Sequence, residues 1–324
     1  MQTTSTSTST STSTSATPSW LLETDAPAVL ADVPAGVEYH RVLAADDRRV
    51  VRGIVAIVLL FAGLVGSARL FLFLATLIDT ELLGRTGFTP LQQAAGALSL
   101  GLLIPYCMLL QRAIYGVPFR SLHSVAGRFR FGVFGRALLV FAPLVLIAMS
   151  VLSMTGASEP IPWTTADLVA FFVIGMVLTP LAAAGEEYGF RGFMFRVVGG
   201  WSRRAGIGAV AGITTTTVVF SLVHGSLDPY ILASYLVLFA SLGIITWRTG
   251  GLEVAVALHG VYNLTALVLG TTLHVDLGGE LSSRSDASGS IANLIPSAAL
   301  VLVTAAAWWT TRRTGPARTP TAQN

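Results

Sequence analysis

The chain has few charged residues and almost no cysteine. Of its 324 residues only 11% are charged, whereas 53% are hydrophobic and the mean hydropathy is +0.70. Soluble domains usually carry about 25% charged residues, so this composition excludes an ordinary soluble enzyme and a disordered protein. The single cysteine, Cys107, cannot form an internal disulfide, which excludes a disulfide-stabilised scaffold. The composition indicates an integral membrane protein.

Lysine is also absent, and all twenty basic residues are arginines. The net charge of +3 is distributed over many loops, without the dense basic patch that nucleic-acid binding requires. We therefore expect no nucleic-acid partner. Membrane lipids and a membrane-associated protein or peptide are the expected partners.

Long apolar stretches recur along the chain. About twenty apolar residues cross the hydrocarbon core as a helix. A single span must be helical, because lipid offers no hydrogen-bond partner to its backbone N–H and C=O groups. The predicted fold class is therefore all-α, a polytopic membrane bundle of about eight transmembrane helices. The predicted spans lie near residues 53–78, 93–112, 132–154, 166–190, 205–224, 229–247, 252–273 and 290–310.

Polar segments flank the predicted membrane domain, which covers residues 51–312. Residues 1–50 are predicted to be a cytosolic tail that is polar, rich in Ser and Thr, and disordered, because its tract at 2–16 cannot bury apolar surface. Residues 313–324 form a second, short cytosolic tail.

The arginines predict the orientation of the bundle. Cytoplasmic loops are enriched in Arg and Lys; here seventeen arginines fall on one side of the predicted spans and two on the other, with Arg69 inside the first span. Both termini are therefore expected in the cytoplasm, in a multi-pass protein of the bacterial cytoplasmic membrane. The loop 112–136 mixes arginines with aromatic and aliphatic residues. This mixture is typical of an amphipathic segment at the membrane surface, although a substrate-gating element fits it too.

Few ionisable residues lie inside the predicted spans. Of seventeen acidic residues, fifteen fall in the tail, in loops or at span ends, and only Glu186 and Glu187 lie within an apolar helix; of five histidines only His224 and His259 lie in or at a span. Charge at bilayer depth is costly, so such residues normally face the bundle interior and have a function. Glu187 and Arg191 are spaced for an ion pair on one helix face, with Glu186 turned about 100° away.

These residues can converge on one cavity, together with Asn263 one turn after His259. A buried Glu beside a His can activate water as a general base. A second His and an Asn can stabilise an oxyanion, which predicts a hydrolase that cuts an amide bond inside the membrane. The same spacing also allows Zn²⁺ bound by Glu186, His224 and His259, with an open position for water.

Three motifs carry a resemblance to a known family. They are Glu-Glu-x-x-x-Arg at 186–191 followed by Gly192, Phe-x-x-x-His at 220–224, and His-x-x-x-Asn at 259–263. In this order, within a motif core at 165–273, they resemble the CAAX-protease and bacteriocin-processing (CPBP, or Abi) family. That family includes the Ras-converting type of prenyl-protein endopeptidase.

The resemblance implies roles for these residues. Glu186 would activate water with help from His224, while His259 and Asn263 would stabilise the oxyanion. Glu187 and Arg191 would brace the site, and Phe220 would pack it. The implied mechanism is that of a glutamate protease without a metal cofactor; a zinc-dependent variant of the same protease is the alternative.

The expected function is thus an intramembrane endopeptidase that acts on a membrane-associated protein or peptide, such as a prenylated CAAX-type protein. Two alternatives belong to other classes. The first is a non-enzymatic Abi-type bacteriocin immunity or membrane scaffold protein. The second is a transporter that uses Glu186 and His224 as a proton relay, which the lack of a detectable internal repeat disfavours.

Overall fold

The computed structural model describes residues 19–22, 30–45, 50–155 and 160–321. Over these ranges the chain is helical, and its only β pairing consists of two isolated bridges. The predicted all-α membrane bundle is confirmed. The Ser/Thr tract at 2–16 and the charged run at 46–49 lie outside the described residues.

The described ranges contain twelve α-helices, together with short 3₁₀ and π turns. A π turn at Ile78–Leu82 extends the first helix, and another at Tyr188–Met194 joins the sixth to the seventh. The helices are α1 Val50–Leu77, α2 Pro90–Gly101, α3 Leu103–Tyr115, α4 Phe131–Val140, α5 Ala142–Ser153, α6 Thr165–Glu187, α7 Phe195–Gly199, α8 Ala205–Val223, α9 Pro229–Thr249, α10 Glu253–Thr272, α11 Leu277–Ser282 and α12 Leu294–Thr311.

Within the described ranges, seven helical segments are long and apolar enough to cross a membrane. The pair α4 and α5 makes an eighth if it is counted as one span, bent by 46° at its break. Pro143 in the first turn of α5 explains the bend, because proline lacks an N–H donor and its ring clashes with the preceding turn. The total of seven to eight agrees with the eight predicted spans.

The helix that carries the first motif, α6, packs most extensively against α2 and α10. Small residues allow the close approach: Gly185 lies against the Leu100 carbonyl of α2, and Gly260 of α10 lies beside Pro180. Helices in lipid associate through such tight contacts between small residues. The motif helix is therefore held between two neighbours at the depth of the glutamates.

The loop between α3 and α4 differs from the expected surface segment. Leu122 and Val125 are buried, and Arg130 makes a bidentate ion pair with Glu253 at the start of α10, with N–O distances of 2.9 and 2.7 Å. This buried ion pair holds the loop against the start of α10, at one end of the bundle. Phe119 remains exposed.

The two ends of the described chain pair with each other. The Gly36 N–H donates to the Thr319 carbonyl at 3.1 Å, and the Thr319 N–H donates to the Val37 carbonyl at 2.8 Å. Tyr39 is fully buried and its hydroxyl donates to the Leu122 carbonyl at 2.6 Å. The described part of the predicted N-terminal tail is therefore packed onto the protein, at the same end of the bundle as the C-terminal segment.

The close approach at Gly185 can be tested by substitution. A Cβ at this position would overlap the Leu100 carbonyl, which is backbone and cannot rotate away. We expect Gly185→Ala to lower the free energy of unfolding by about 1–3 kcal/mol, measured by denaturant titration in detergent. The matched control is Gly96→Ala on α2, where a Cβ meets nothing within 4 Å. Equal stability of the two variants would contradict this packing.

Candidate active site

The site begins where α6 passes into the π turn Tyr188–Met194. Such turns are frequent at functional sites. Here the turn places Arg191 beside Glu187, with Nη1 donating to Oε1 at 3.1 Å, and both side chains are 0% exposed. The structure therefore contains the ion pair that the spacing of these residues predicts.

Arg191 is also enclosed by aromatic rings. Its guanidinium carbon lies 4.8 Å from the ring centroid of Phe220 on α8 and 4.8 Å from that of Phe239 on α9. A desolvated guanidinium is stabilised over ring faces. The arginine thus joins three helices around one buried charge.

His259 connects the two glutamates. Its Nδ1 lies 2.8 Å from Oε1 of Glu187, and because a carboxylate only accepts hydrogen bonds, Nδ1 carries the proton. Its Nε2 lies 3.5 Å from Oε2 of Glu186 and 3.2 Å from Nδ2 of Asn263. With Arg191, which is bonded to the same Glu187 oxygen, five of the predicted site residues therefore form one continuous group.

The two adjacent glutamates have different surroundings. The Glu187 side chain is fully buried, whereas that of Glu186 is 14% exposed. Glu186 is thus the carboxylate of the pair that a water molecule or a substrate can reach.

His224 lies just past the C-terminal end of α8. Its Nδ1 is 2.8 Å from the Phe220 carbonyl, which only accepts, so Nδ1 is the donor and Nε2 of the neutral ring is an acceptor. Its ring packs against Phe239 and Tyr235, with centroids 4.9 and 4.8 Å away. Within the described structure His224 makes no direct hydrogen bond to Glu186, so a bound molecule would have to bridge them.

Three aromatic residues of the site do not belong to the predicted set. Phe190 stacks on Phe220 with centroids 4.0 Å apart, and Tyr235 and Phe239 present one face of α9 to His224. The four-residue spacing of Tyr235 and Phe239 predicts only that they share one helix face. In an apolar span, such a pair is indistinguishable from residues that face lipid.

A further polar link joins the site to the loop between α3 and α4. The Tyr188 hydroxyl, next to Glu187, is hydrogen-bonded to Nδ1 of His123. Burial lowers the pKa of His123 below its ordinary value, which favours the neutral ring as acceptor. The loop thereby contacts the π turn that holds Arg191.

The central part of the chain matches a known family. Residues 164–265 match the family model described as type II CAAX prenyl endopeptidase Rce1-like, and this range includes all seven predicted site residues. This match supports a CAAX-protease (CPBP) family relationship for residues 164–265, which are called the CPBP domain below. No curated protein and no solved structure matches the chain. The family implies a CAAX-type intramembrane protease with a membrane-associated protein substrate.

The alternative zinc ligands of the CPBP domain are not arranged as a metal site. Among the described residues, no group of three His, Cys, Asp or Glu side chains is placed to hold a metal ion. In addition, His259 already has hydrogen-bond partners at both ring nitrogens. Glu186, His224 and His259 therefore do not fit zinc in this conformation, and the role of metal stays a prediction.

The buried ion pair of the CPBP domain can be tested through stability. Replacing Arg191 with Ala leaves Glu187 charged and buried beside His259 alone, so we expect a loss of about 3–5 kcal/mol in the free energy of unfolding. Arg191→Lys should recover only part of this, because an ammonium lacks the planar stacking between Phe220 and Phe239. Denaturant titration in detergent measures both values.

Arg120→Ala is the matched control, since Arg120 is exposed in the loop after α3; surface substitutions usually change stability by less than about 0.5 kcal/mol. If Arg191→Ala were as stable as Arg120→Ala, the central place of this ion pair would be refuted.

Proposed function

We propose that the CPBP domain is a glutamate-type intramembrane endopeptidase in which Glu186 activates the attacking water. One observation carries the proposal. Glu186 is partly exposed and lies 3.5 Å from His259, whose other nitrogen is bound to the fully buried Glu187. Adjacent carboxylates in such different environments are typical of sites where one acts on the substrate and the other supports it.

The proposed attack uses Glu186 and His224 together. Water binds between the Glu186 carboxylate and the Nε2 acceptor of His224. Glu186 removes a proton as the water oxygen bonds to the peptide carbonyl carbon, and the electron pair of the C=O bond moves to oxygen. Protonated Glu186 then donates to the amide nitrogen while the C–N bond breaks, which releases an acid and an amine and restores the carboxylate.

The proposed oxyanion site consists of His259 and Asn263. Because Nδ1–H of His259 donates to Glu187, its Nε2 can donate to an oxyanion only when both ring nitrogens are protonated. The Glu187 carboxylate at 2.8 Å stabilises that charged ring. Asn263 Nδ2, which lies 3.2 Å from the same nitrogen, is the second donor. Glu187 and Arg191 are then positioning residues.

The proposed substrate is a peptide that reaches the site from the bilayer, such as a prenylated CAAX-type segment. The family match supports a membrane-associated protein substrate. A lipid chain adds about 0.8 kcal/mol of membrane affinity per buried methylene, which concentrates such a peptide beside the transmembrane helices. We also propose that both termini are cytoplasmic, which their pairing at one end of the bundle and the arginine distribution support.

The catalytic proposal is tested by single substitutions in protein purified in detergent, with peptide cleavage followed by mass spectrometry. We expect Glu186→Gln to lower kcat by about 10²–10⁴-fold, as loss of a general base does, and Asn263→Ala to lower it by about 10²–10³-fold. His224→Ala should also abolish most activity. Glu81→Gln, an exposed acid beyond the site, should leave kcat unchanged.

Full cleavage by Glu186→Gln would refute the mechanism. If the wild-type protein cleaves nothing while Glu186→Gln retains a cellular immunity phenotype, the non-enzymatic alternative is favoured instead.

Metal dependence is a separate test. If Glu186 and His224 activate the water without a metal ion, peptide cleavage should be unaffected by EDTA or 1,10-phenanthroline after prolonged incubation. Elemental analysis of the active protein, which should contain much less than one zinc per chain, is the control for incomplete chelation. Activity that is lost with chelator and recovered specifically with Zn²⁺ would favour the zinc-dependent alternative.

A further inference from the structure

His123 connects the two elements that carry the Glu187–His259 pair. The His123 ring is hydrogen-bonded through Nδ1 to the hydroxyl of Tyr188, the residue after Glu187, and the two ring centroids lie 5.5 Å apart. The His123 carbonyl accepts from the Leu252 N–H at 3.0 Å, immediately before α10. His259 follows on α10 about two helical turns later. One residue of the loop after α3 therefore bonds to both sides of the pair.

The loop segment 121–125 is itself fixed by backbone hydrogen bonds. On one side, its first two carbonyls accept from Arg196 at 2.8 Å and from the Tyr39 hydroxyl at 2.6 Å. On the other side, the Val125 N–H donates to the Gly250 carbonyl at 2.8 Å, just ahead of α10. The histidine ring between these bonds is therefore held in a fixed position.

The geometry at His259 depends on the separation between α10 and the π turn. Nδ1 of His259 lies 2.8 Å from Glu187, while Nε2 lies 3.5 Å from Glu186. A movement of either element would change both distances at once. A misplacement of about 1 Å in an active site can slow a reaction by about 10²-fold. The hydrogen bond between Tyr188 and His123 opposes such a movement.

We infer that His123 is a positioning residue of the site, which acts through the Tyr188 hydroxyl on the Glu187–His259 pair. The inference rests on the proposed function, in which His259 stabilises the oxyanion. His123 lies outside the family match, which begins at residue 164, and Tyr188 occupies an unspecified position of the first motif.

The test removes either partner of this hydrogen bond and measures peptide cleavage by the purified full-length protein. We expect Tyr188→Phe and His123→Leu each to lower kcat by about two- to tenfold, as loss of one hydrogen bond allows, and to change KM by less than about twofold. The double variant should lose no more than the larger single loss, because both substitutions break the same bond. Tyr188→Phe removes a single oxygen atom, so it tests the bond without a change of packing.

Tyr106→Phe is the matched control. The Tyr106 hydroxyl of α3 donates to the Leu59 carbonyl of α1 at 2.7 Å, and neither helix carries a predicted site residue. This variant should keep the wild-type kcat even if it unfolds at a lower temperature. Wild-type kcat in both Tyr188→Phe and His123→Leu would overturn the inference. A rise in KM alone, or losses that multiply in the double variant, would overturn it as well.

Proton NMR of His259 gives a second readout that needs no substrate. The Nδ1 proton lies in the hydrogen bond to Glu187, and its signal is assigned by its absence from His259→Gln. We expect this signal to shift, or to be lost through exchange with water, in Tyr188→Phe and His123→Leu but not in Tyr106→Phe. An unchanged signal in both would overturn the inference whatever the cleavage rates are. A wild-type protein that cleaves no peptide contradicts the proposed function, while this signal still shows whether His123 positions His259.

Discussion

The arrangement of the site depends on one buried carboxylate. Oε1 of Glu187 is shared by Arg191 and His259, at 3.1 and 2.8 Å, and all three side chains are almost completely withdrawn from solvent. An isolated charge at this depth would be strongly unfavourable, so the carboxylate requires both partners. Because Arg191 also needs the faces of Phe220 and Phe239, the pairing of a single charge determines how α6, α8, α9 and α10 meet.

The same constraint explains why two neighbouring glutamates can differ in role. Consecutive residues of a helix point about 100° apart, so when Glu187 faces the arginine, Glu186 must face elsewhere. His259 then lies between them, bound to Glu187 through Nδ1 and facing Glu186 through Nε2. The proposed chemistry needs this division, because a carboxylate neutralised by Arg191 is a poor base, whereas one at the edge of the cavity can take a proton.

The sequence predicts the polar part of this site better than its apolar part. The sequence identifies its ionisable site residues because such residues are rare in membrane spans. Burying them costs free energy, so their presence indicates a function; here they are Glu186, Glu187, His224 and His259. Tyr235 and Phe239 carry no such signal, since aromatic residues suit lipid and protein contacts equally. The Arg130–Glu253 pair is not predictable either. Its two residues are far apart in sequence, and each alone resembles an ordinary charge at the end of a span.

The packing of the N-terminal segment is also not predictable from the sequence. Its contacts close one end of the bundle. Residues 30–45 belong to the segment that is predicted to be a polar tail, yet Tyr39 is fully buried, with its ring 4.3 Å from the guanidinium carbon of Arg196. Arg196, fully buried at the start of α7, also donates to Gln111 and Ser121. These bonds hold together the end of the motif helix, the loop after α3 and the terminal segment.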